Sequence, residues 1–189
     1  MTPPSIYSQT FNHTNFGDQA LAREYEDCDF VGCNFAEQDL SEIAFAECRF
    51  EDCDFSMAKI RKTAFKDVHF KRCKLMGLHF DDCNDFLLEM HFEHCLLNFA
   101  IFYQLRLKET RFEHCNLQEA DFTEANLAGA SFSNCDLQGA IFDQSDLRKA
   151  DLRSAFNFHI DPDNNSVAGA RFAVTNLAGL LKKYQLVIE

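Results

Sequence analysis

A large apolar residue recurs at every fifth position of this chain, a series that neither a plain helix nor a flat strand can place on one side. From Tyr25 it falls at Phe30, Phe35, Leu40, Phe45, Phe50, Phe55, Ile60, Phe65, Phe70, Leu75 and Phe80; after a break it resumes at Phe92 and runs in steps of five to Leu152. Two positions earlier stands a small residue, such as Cys28, Cys33, Cys48, Cys53, Ala58, Thr63 and Cys73, or, after the break, Cys95, Ala100, Thr110, Cys115 and Ala120. Asp or Asn often stands just before the large residue, as at Asp29, Asn34, Asp54, Asn116 and Asn126. Five is neither the 3.6 period of a helix nor the 2 of a strand. It fits a chain that turns a corner at each unit, four units closing a square coil in which residue i stacks on residue i+20 at ~4.8 Å. Two positions per unit then point inward and three outward.

Eight of the nine cysteines occupy the small inward slot, and their separations of 20 stack them in columns: Cys28 on Cys48; Cys33, Cys53 and Cys73; Cys95, Cys115 and Cys135. They read as core fillers, small buried hydrophobes, and not as a disulfide framework, because the number is odd and the N-terminal MTPPSIYSQTFNH has no export-signal pattern. Cys83 lies in the break. Glu93-His94-Cys95 and Glu113-His114-Cys115 invite a zinc assignment, but the register turns the imidazoles outward and the thiols inward. His69, His79 and His91 read as outward and scattered, with no serine or cysteine placed for nucleophilic catalysis, and the glycines form no phosphate loop. The expectation is no catalytic residue, no cofactor and no metal.

At 189 residues and 47% hydrophobic content the chain suffices for one domain with a sizeable core. No apolar run approaches the roughly 18 residues of a membrane span, so the expectation is a soluble, cytoplasmic protein without a membrane partner. A formal charge of −12 argues against nucleic acid as a partner. Residues 1–24 read as an irregular N-terminal coil or cap in which Ile6, Phe11, Phe16 and Leu21 hold the fivefold spacing in another frame; residues 25–155 form the solenoid; residues 156–189 form a C-terminal cap. The break at 81–91 reads as two six-residue steps, from Phe80 to Phe86 to Phe92. Beyond the turn at Asp161 to Asn165, Thr175 reads as a helix N-cap, with Leu177, Leu180, Leu181 and Tyr184 at helical spacing and Leu186 and Ile188 in the tail that covers the last coil.

The stretch ADFTEANLAGASFSNCDLQGAIF at 120–142 resembles the A(D/N)Lxx units of the pentapeptide-repeat family. That resemblance implies an all-β solenoid, a right-handed quadrilateral parallel β-helix. The length, the CDFSMA at 53–58 and the apolar C-terminal tail are similar to the Qnr, MfpA and McbG branch, whose members protect DNA gyrase and topoisomerase IV from quinolones or a peptide toxin. By that resemblance the partner is a type II topoisomerase bound through DNA mimicry, and the C-terminal apolar residues form a homodimer contact.

If the four faces stay continuous across the break, the face built on Leu40, Ile60, Phe80, Phe102, Phe122 and Phe142 displays Asp39, Glu42, Asp81, Asp82, Asp121, Glu124 and Asp143. This is the most acidic face and the candidate partner surface. Charge is banded along the axis: residues 18–54 hold 12 acidic and 2 basic residues, 59–74 hold 1 and 7, and 81–147 hold 13 and 3. A rod of ~35 Å would match about one turn of B-DNA, although the basic band would meet a DNA-binding saddle with like charge. The alternative is a general protein-interaction scaffold with another partner.

Overall fold

The computed structural model describes residues 5–18 and 21–187. Its strands are short: β1 Ser5–Tyr7, β2 Thr10–Asn12, β3 Glu24–Glu26, β4 Asp29–Val31, β5 Ala44–Ala46, β6 Arg49–Glu51, β7 Ala64–Lys66, β8 Val68–Lys71, β9 Met90–Glu93, β10 Arg111–Glu113 and β11 Ser131–Ser133. All strand pairs are parallel, in one sheet of order β1-β3-β5-β7 and another of order β2-β4-β6-β8-β9-β10-β11. Two further ladders of single bridges run alongside, one through Asn34, Asp54, Lys74, Leu96, Asn116 and Asp136, the other through His79, Ile101, Asp121 and Ile141. The result is a four-sided parallel β-solenoid. Partners stand 20 residues apart through most of it, as in Phe30↔Phe50 and Phe112↔Phe132. The first coil is one residue shorter, with Ile6 opposite Tyr25 and Phe11 opposite Phe30.

The corners follow from one backbone conformation repeated at one slot. Two positions after the large residue, Asp27, Glu37, Glu42, Glu47, Asp52, Met57 and Lys62 all have φ between 51° and 64°, and the same slot recurs up the rod. For an L-residue this left-handed region costs roughly 1–2 kcal/mol. Turn hydrogen bonds and ladder pairing hold it: Ile43 N donates to Leu40 O at 3.2 Å and Ala58 N to Phe55 O at 3.0 Å, closing turns whose third residue has positive φ. The Asp or Asn before the large residue braces the turn from outside. Asp39 Oδ1 accepts from Ser41 N at 3.0 Å, Asn116 Oδ1 from Gln118 N at 3.0 Å and Asp121 Oδ1 from Thr123 N at 2.8 Å. These are Asx turns, so the acidic residue in that slot has a structural duty before any functional one.

Inside, aromatic rings stack coil upon coil. Phe30 and Phe50 have centroids 4.7 Å apart, Phe70 and Phe92 5.3 Å, and Phe92 and Phe112 5.2 Å, while rings on adjacent sides meet edge to face. Each buried Phe or Leu contributes about 1.5–3 kcal/mol. All nine cysteines are buried free thiols. The inward small residue also donates to a carbonyl of the coil beneath: Cys73 Sγ to Phe50 O at 3.3 Å, Thr63 Oγ1 to Leu40 O at 2.8 Å and Ser145 Oγ to Phe122 O at 2.8 Å. That shared bond is why Cys, Thr and Ser interchange in one slot. Burial pushes the Cys48 thiol up to about 12 and holds Cys73 and Cys95 protonated as well, so these sulfurs are packing groups and not nucleophiles.

The break differs from the even two-step reading. Ala64 pairs with Asn84 in the regular 20-residue register, so Asp85 and not Phe86 stands opposite Phe65. Phe86 and Leu87 are 67% and 64% exposed. Asn84 Oδ1 accepts from Phe86 N at 3.0 Å, which completes an ordinary Asx turn and pushes the surplus residues into the next corner. Glu89 N then reaches Phe65 O at 3.0 Å, Leu88 packs against the core, and pairing resumes with Val68↔Met90 at a separation of 22. The faces do continue across the break, since Phe80 stacks on Phe102 at 4.9 Å.

At the C-terminus the helix is a single turn, α1 Ala178–Leu181, between 3-10 turns at Val174–Asn176 and Lys182–Tyr184. Thr175 is not its N-cap: it lies inside the first 3-10 turn, and the residue before α1 is Leu177, with no side-chain cap bond. The neighbouring Asn176 caps the last coil and not the helix, its Nδ2 donating to the carbonyls of Leu152 at 3.1 Å and Ala155 at 3.0 Å. Leu180 packs on the core, Lys183 pairs with Asp161 and Asp163, and Leu177, Leu181, Tyr184 and Leu186 are exposed. Ile188 lies outside the described residues. Among the described residues no helix is long and apolar enough to cross a membrane.

Candidate functional site

The ladder and its corners bring the seven acidic candidates to one side of the solenoid. Asp39 and Asp121 stand in the slot just before the large residue, Asp81 and Asp143 in the slot just after it, and Glu42, Asp82 and Glu124 at or beside the corner. They do not form an unbroken acidic surface. The ladder places Lys59 directly beside Asp39, and Lys59, Arg61 and Lys62 make a basic rung between Asp39 and Glu42 on one coil and Asp81 and Asp82 on another. A groove of about 340 Å³ runs there, lined by Asp39, Ser41, Lys59, Arg61, His79 and Asp82.

The acids are not equivalent. The Ser41 hydroxyl and amide, helped by Lys59 and Arg61, hold the Asp39 carboxyl below its ordinary range. Burial pushes the Asp81 carboxyl up; its Oδ1 is buried without a hydrogen bond, 3.5 Å from His79 Nδ1. Glu124 Oε2 accepts from Gln104 Nε2 at 2.8 Å, and Asp143 accepts from Asn164.

Sequence reasoning missed the apolar groups on the outer surface. Ile141 on the acidic side, and Met57, Met76, Leu96 and Phe99 on the adjacent side, are exposed. The signal was present: Leu96 and Ile141 fill the slot that Asp or Asn holds elsewhere. The register also joins two histidines that spacing alone left apart. His69 and His91 are ladder partners across the 22-residue step, with ring centroids 4.9 Å apart. His94 and His114 stack at 4.7 Å on the outside while Cys95 and Cys115 are buried, so the two residue types of each Glu-His-Cys run do face apart.

Five-residue units, left-handed corners and parallel single-residue ladders define a solenoid that presents side chains in fixed columns. A family model described as a pentapeptide repeat region matches residues 24–85, and one described as pentapeptide repeats (8 copies) matches residues 115–153. The chain belongs to the pentapeptide-repeat family. Among solved structures it is similar to a trypsin-treated form of QnrB1, a plasmid-mediated fluoroquinolone resistance protein, at 21% identity over 98% of this chain and 92% of that one, with a TM-score of 0.52. It is also similar to HetL, a protein involved in heterocyst differentiation regulation from the cyanobacterium Nostoc sp. strain PCC 7120, at 18% identity over 89% of this chain and 85% of that one, with a TM-score of 0.48. A search of curated proteins finds no match. These likenesses concern the fold.

Proposed function

We propose that this chain is a non-enzymatic, cytoplasmic protein-binding rod whose acidic side takes the place of a DNA duplex on the basic surface of a type II topoisomerase such as DNA gyrase. The observation that carries this reading is the placement of Asp39, Glu42, Asp81, Asp82, Asp121, Glu124 and Asp143 on one side of a rigid ladder. The rod itself, counted up the opposite side from Phe11 to the rung of Arg171, has eight steps, about 38 Å at ~4.8 Å each, close to one turn of B-form duplex, and the seven acids span five of those steps. An excess of carboxylates on one side steers encounter with a basic cleft and disfavours acidic partners. The shared fold with QnrB1, a fluoroquinolone resistance protein, supports this reading by analogy alone. At the C-terminus, exposed Leu177, Leu181, Tyr184 and Leu186 supply a two-fold contact that joins two rods end to end.

A second reading, a scaffold for a different protein, is favoured by the Lys59, Arg61 and Lys62 rung, which a topoisomerase saddle would repel. A supercoiling assay with purified gyrase, with and without a quinolone, separates the two. Inhibition of supercoiling, or relief of quinolone poisoning, supports the first reading. No effect of folded protein at micromolar concentration leaves the second.

A further inference from the structure

We propose that Asp67, His69 and His91 form a binding site for one divalent first-row transition ion, with zinc as the expected occupant, on the side of the solenoid that carries Phe70 and Phe92. This site lies two sides away from the acidic face and stands whether or not the topoisomerase reading holds.

One ligand atom from each of the three residues falls within 4.8 Å of the others. Donors around a single tetrahedral zinc at ~2.0–2.2 Å stand about 3.4 Å apart, so side-chain adjustments of about an ångström close the set. The backbone already fixes the three positions. His69 lies on β8 and His91 on β9 as direct ladder partners, and Asp67 occupies the corner before β8, its Oδ1 3.3 Å from His69 Nε2. Two imidazoles and a carboxylate suit zinc, nickel or cobalt far better than magnesium or calcium, and leave a coordination position for water.

The surroundings favour a cation despite nearby positive groups. The His91 side chain is only 14% exposed and borders a groove of about 330 Å³ lined also by Arg49, Glu51, Lys71, Glu93 and Arg111. Arg49 lies 3.5 Å from Asp29 and Lys71 3.2 Å from Glu93, so both are matched by acids. Asp67 and Glu89, the latter 3.7 Å from His91 Nε2, set two carboxylates against Arg111 beside the imidazoles. His91 Nδ1 accepts a long bond, 3.4 Å, from Arg111 N. Ligation through Nε2 moves the ring proton to Nδ1 and gives up that bond, a small loss at such a length. All nine thiols are buried and none belongs to this cluster.

The location gives the ion a task. Residues 86–88 bulge between the two rungs that carry His69 and His91, and this is the interruption of the ladder at the break. An ion held by Asp67 and His69 on one coil and His91 on the next ties the coils together there, and its binding free energy adds to folding stability.

The test is calorimetric titration of the metal-stripped, tag-free full chain with zinc chloride, with cobalt absorption and thermal melting in parallel. The expected result is one ion per chain, a raised melting temperature, and cobalt d–d bands without thiolate charge transfer. His69→Ala and His91→Ala each weaken zinc by more than tenfold, the shape-conserving Asp67→Asn does likewise, and Glu89→Gln weakens it by up to about tenfold. His79→Ala and His94→Ala leave it unchanged. The proposal is overturned by affinity that survives His69→Ala and His91→Ala, by thiolate charge transfer to cobalt, or by no saturable binding below millimolar zinc.

Discussion

Cys53 Sγ lies 3.3 Å from the carbonyl oxygen of Phe30, one coil beneath, and donates its proton to it. The same relation joins Cys73 to Phe50, Cys135 to Phe112 and, with oxygen in place of sulfur, Ser145 to Phe122. The slot therefore takes a small side chain, and where that is Cys, Thr or Ser its one donor closes this bond, while Ala fills the slot without it at Ala58 and Ala120. Cys53→Ser is expected to fall within about 1 kcal/mol of the native protein, because the hydroxyl inherits the bond, whereas Cys53→Ala loses both the bond and the sulfur's packing and costs about 1–2 kcal/mol more. Urea denaturation of the two variants measures the difference.

Phe112 is fully buried between Phe92 and Phe132, with centroids at 5.2 Å and 5.1 Å. Phe112→Ala removes one member of a continuous stack and is expected to cost about 3–5 kcal/mol. Leu152 holds the equivalent position on the same ladder, so Phe112→Leu is expected to cost only about 1–2 kcal/mol. Equilibrium denaturation of both variants checks the ratio.

Gly179 presses the C-terminal turn onto the last coil. A Cβ there would stand 2.5 Å from a Phe158 ring carbon and 2.7 Å from the Phe158 carbonyl oxygen, and the latter belongs to backbone that cannot swing aside. Gly179→Ala is expected to lift residues 174–184 at a cost of about 1–3 kcal/mol. Hydrogen exchange should rise in that segment and stay unchanged around Phe50 and Phe70.

Asp81 combines a functional candidacy with a structural cost. Its folded pKa is raised, chiefly by burial, so the ionised form is disfavoured in the fold, and the stability lost appears as pH rises through the folded value. Asp81→Asn is expected to be more stable than the native protein at pH 7, by about 1 kcal/mol or less, with the gap closing as pH falls below the ordinary carboxylate range near ~4. Thermal melts at pH 7 and pH 4 test the sign.

The five-residue spacing made the columns legible because a side chain's slot alone decides whether it points in or out: Phe50, Cys53 and Phe55 could be placed without coordinates. The break was not legible in the same way. Phe86 looks like a core residue by type, and only the Asx turn at Asn84 makes Asp85 take the ladder position. The purpose of the Asp/Asn slot was hidden for a similar reason, since spacing shows that Asp39 and Asp121 face outward but not that each holds its own turn. Thr175 failed as a cap because the chain needs 3-10 geometry to bring Asn176 over the carbonyls of Leu152 and Ala155. His69 and His91, 22 residues apart, meet because the bulge adds two residues to one coil, a shift that a strict 20-residue register would miss.

The central functional claim is tested most directly by the affinity of the purified protein for DNA gyrase in competition with duplex DNA, comparing the native chain with an Asp121→Asn, Glu124→Gln, Asp143→Asn variant. Asn keeps the turn at position 121, as Asn126 does one unit on, so the variant should fold normally. The account predicts that native protein and DNA exclude one another and that the variant binds roughly tenfold or more weakly, with a shallower salt dependence. Equal affinity of the two forms, or simultaneous binding of protein and duplex, would contradict it.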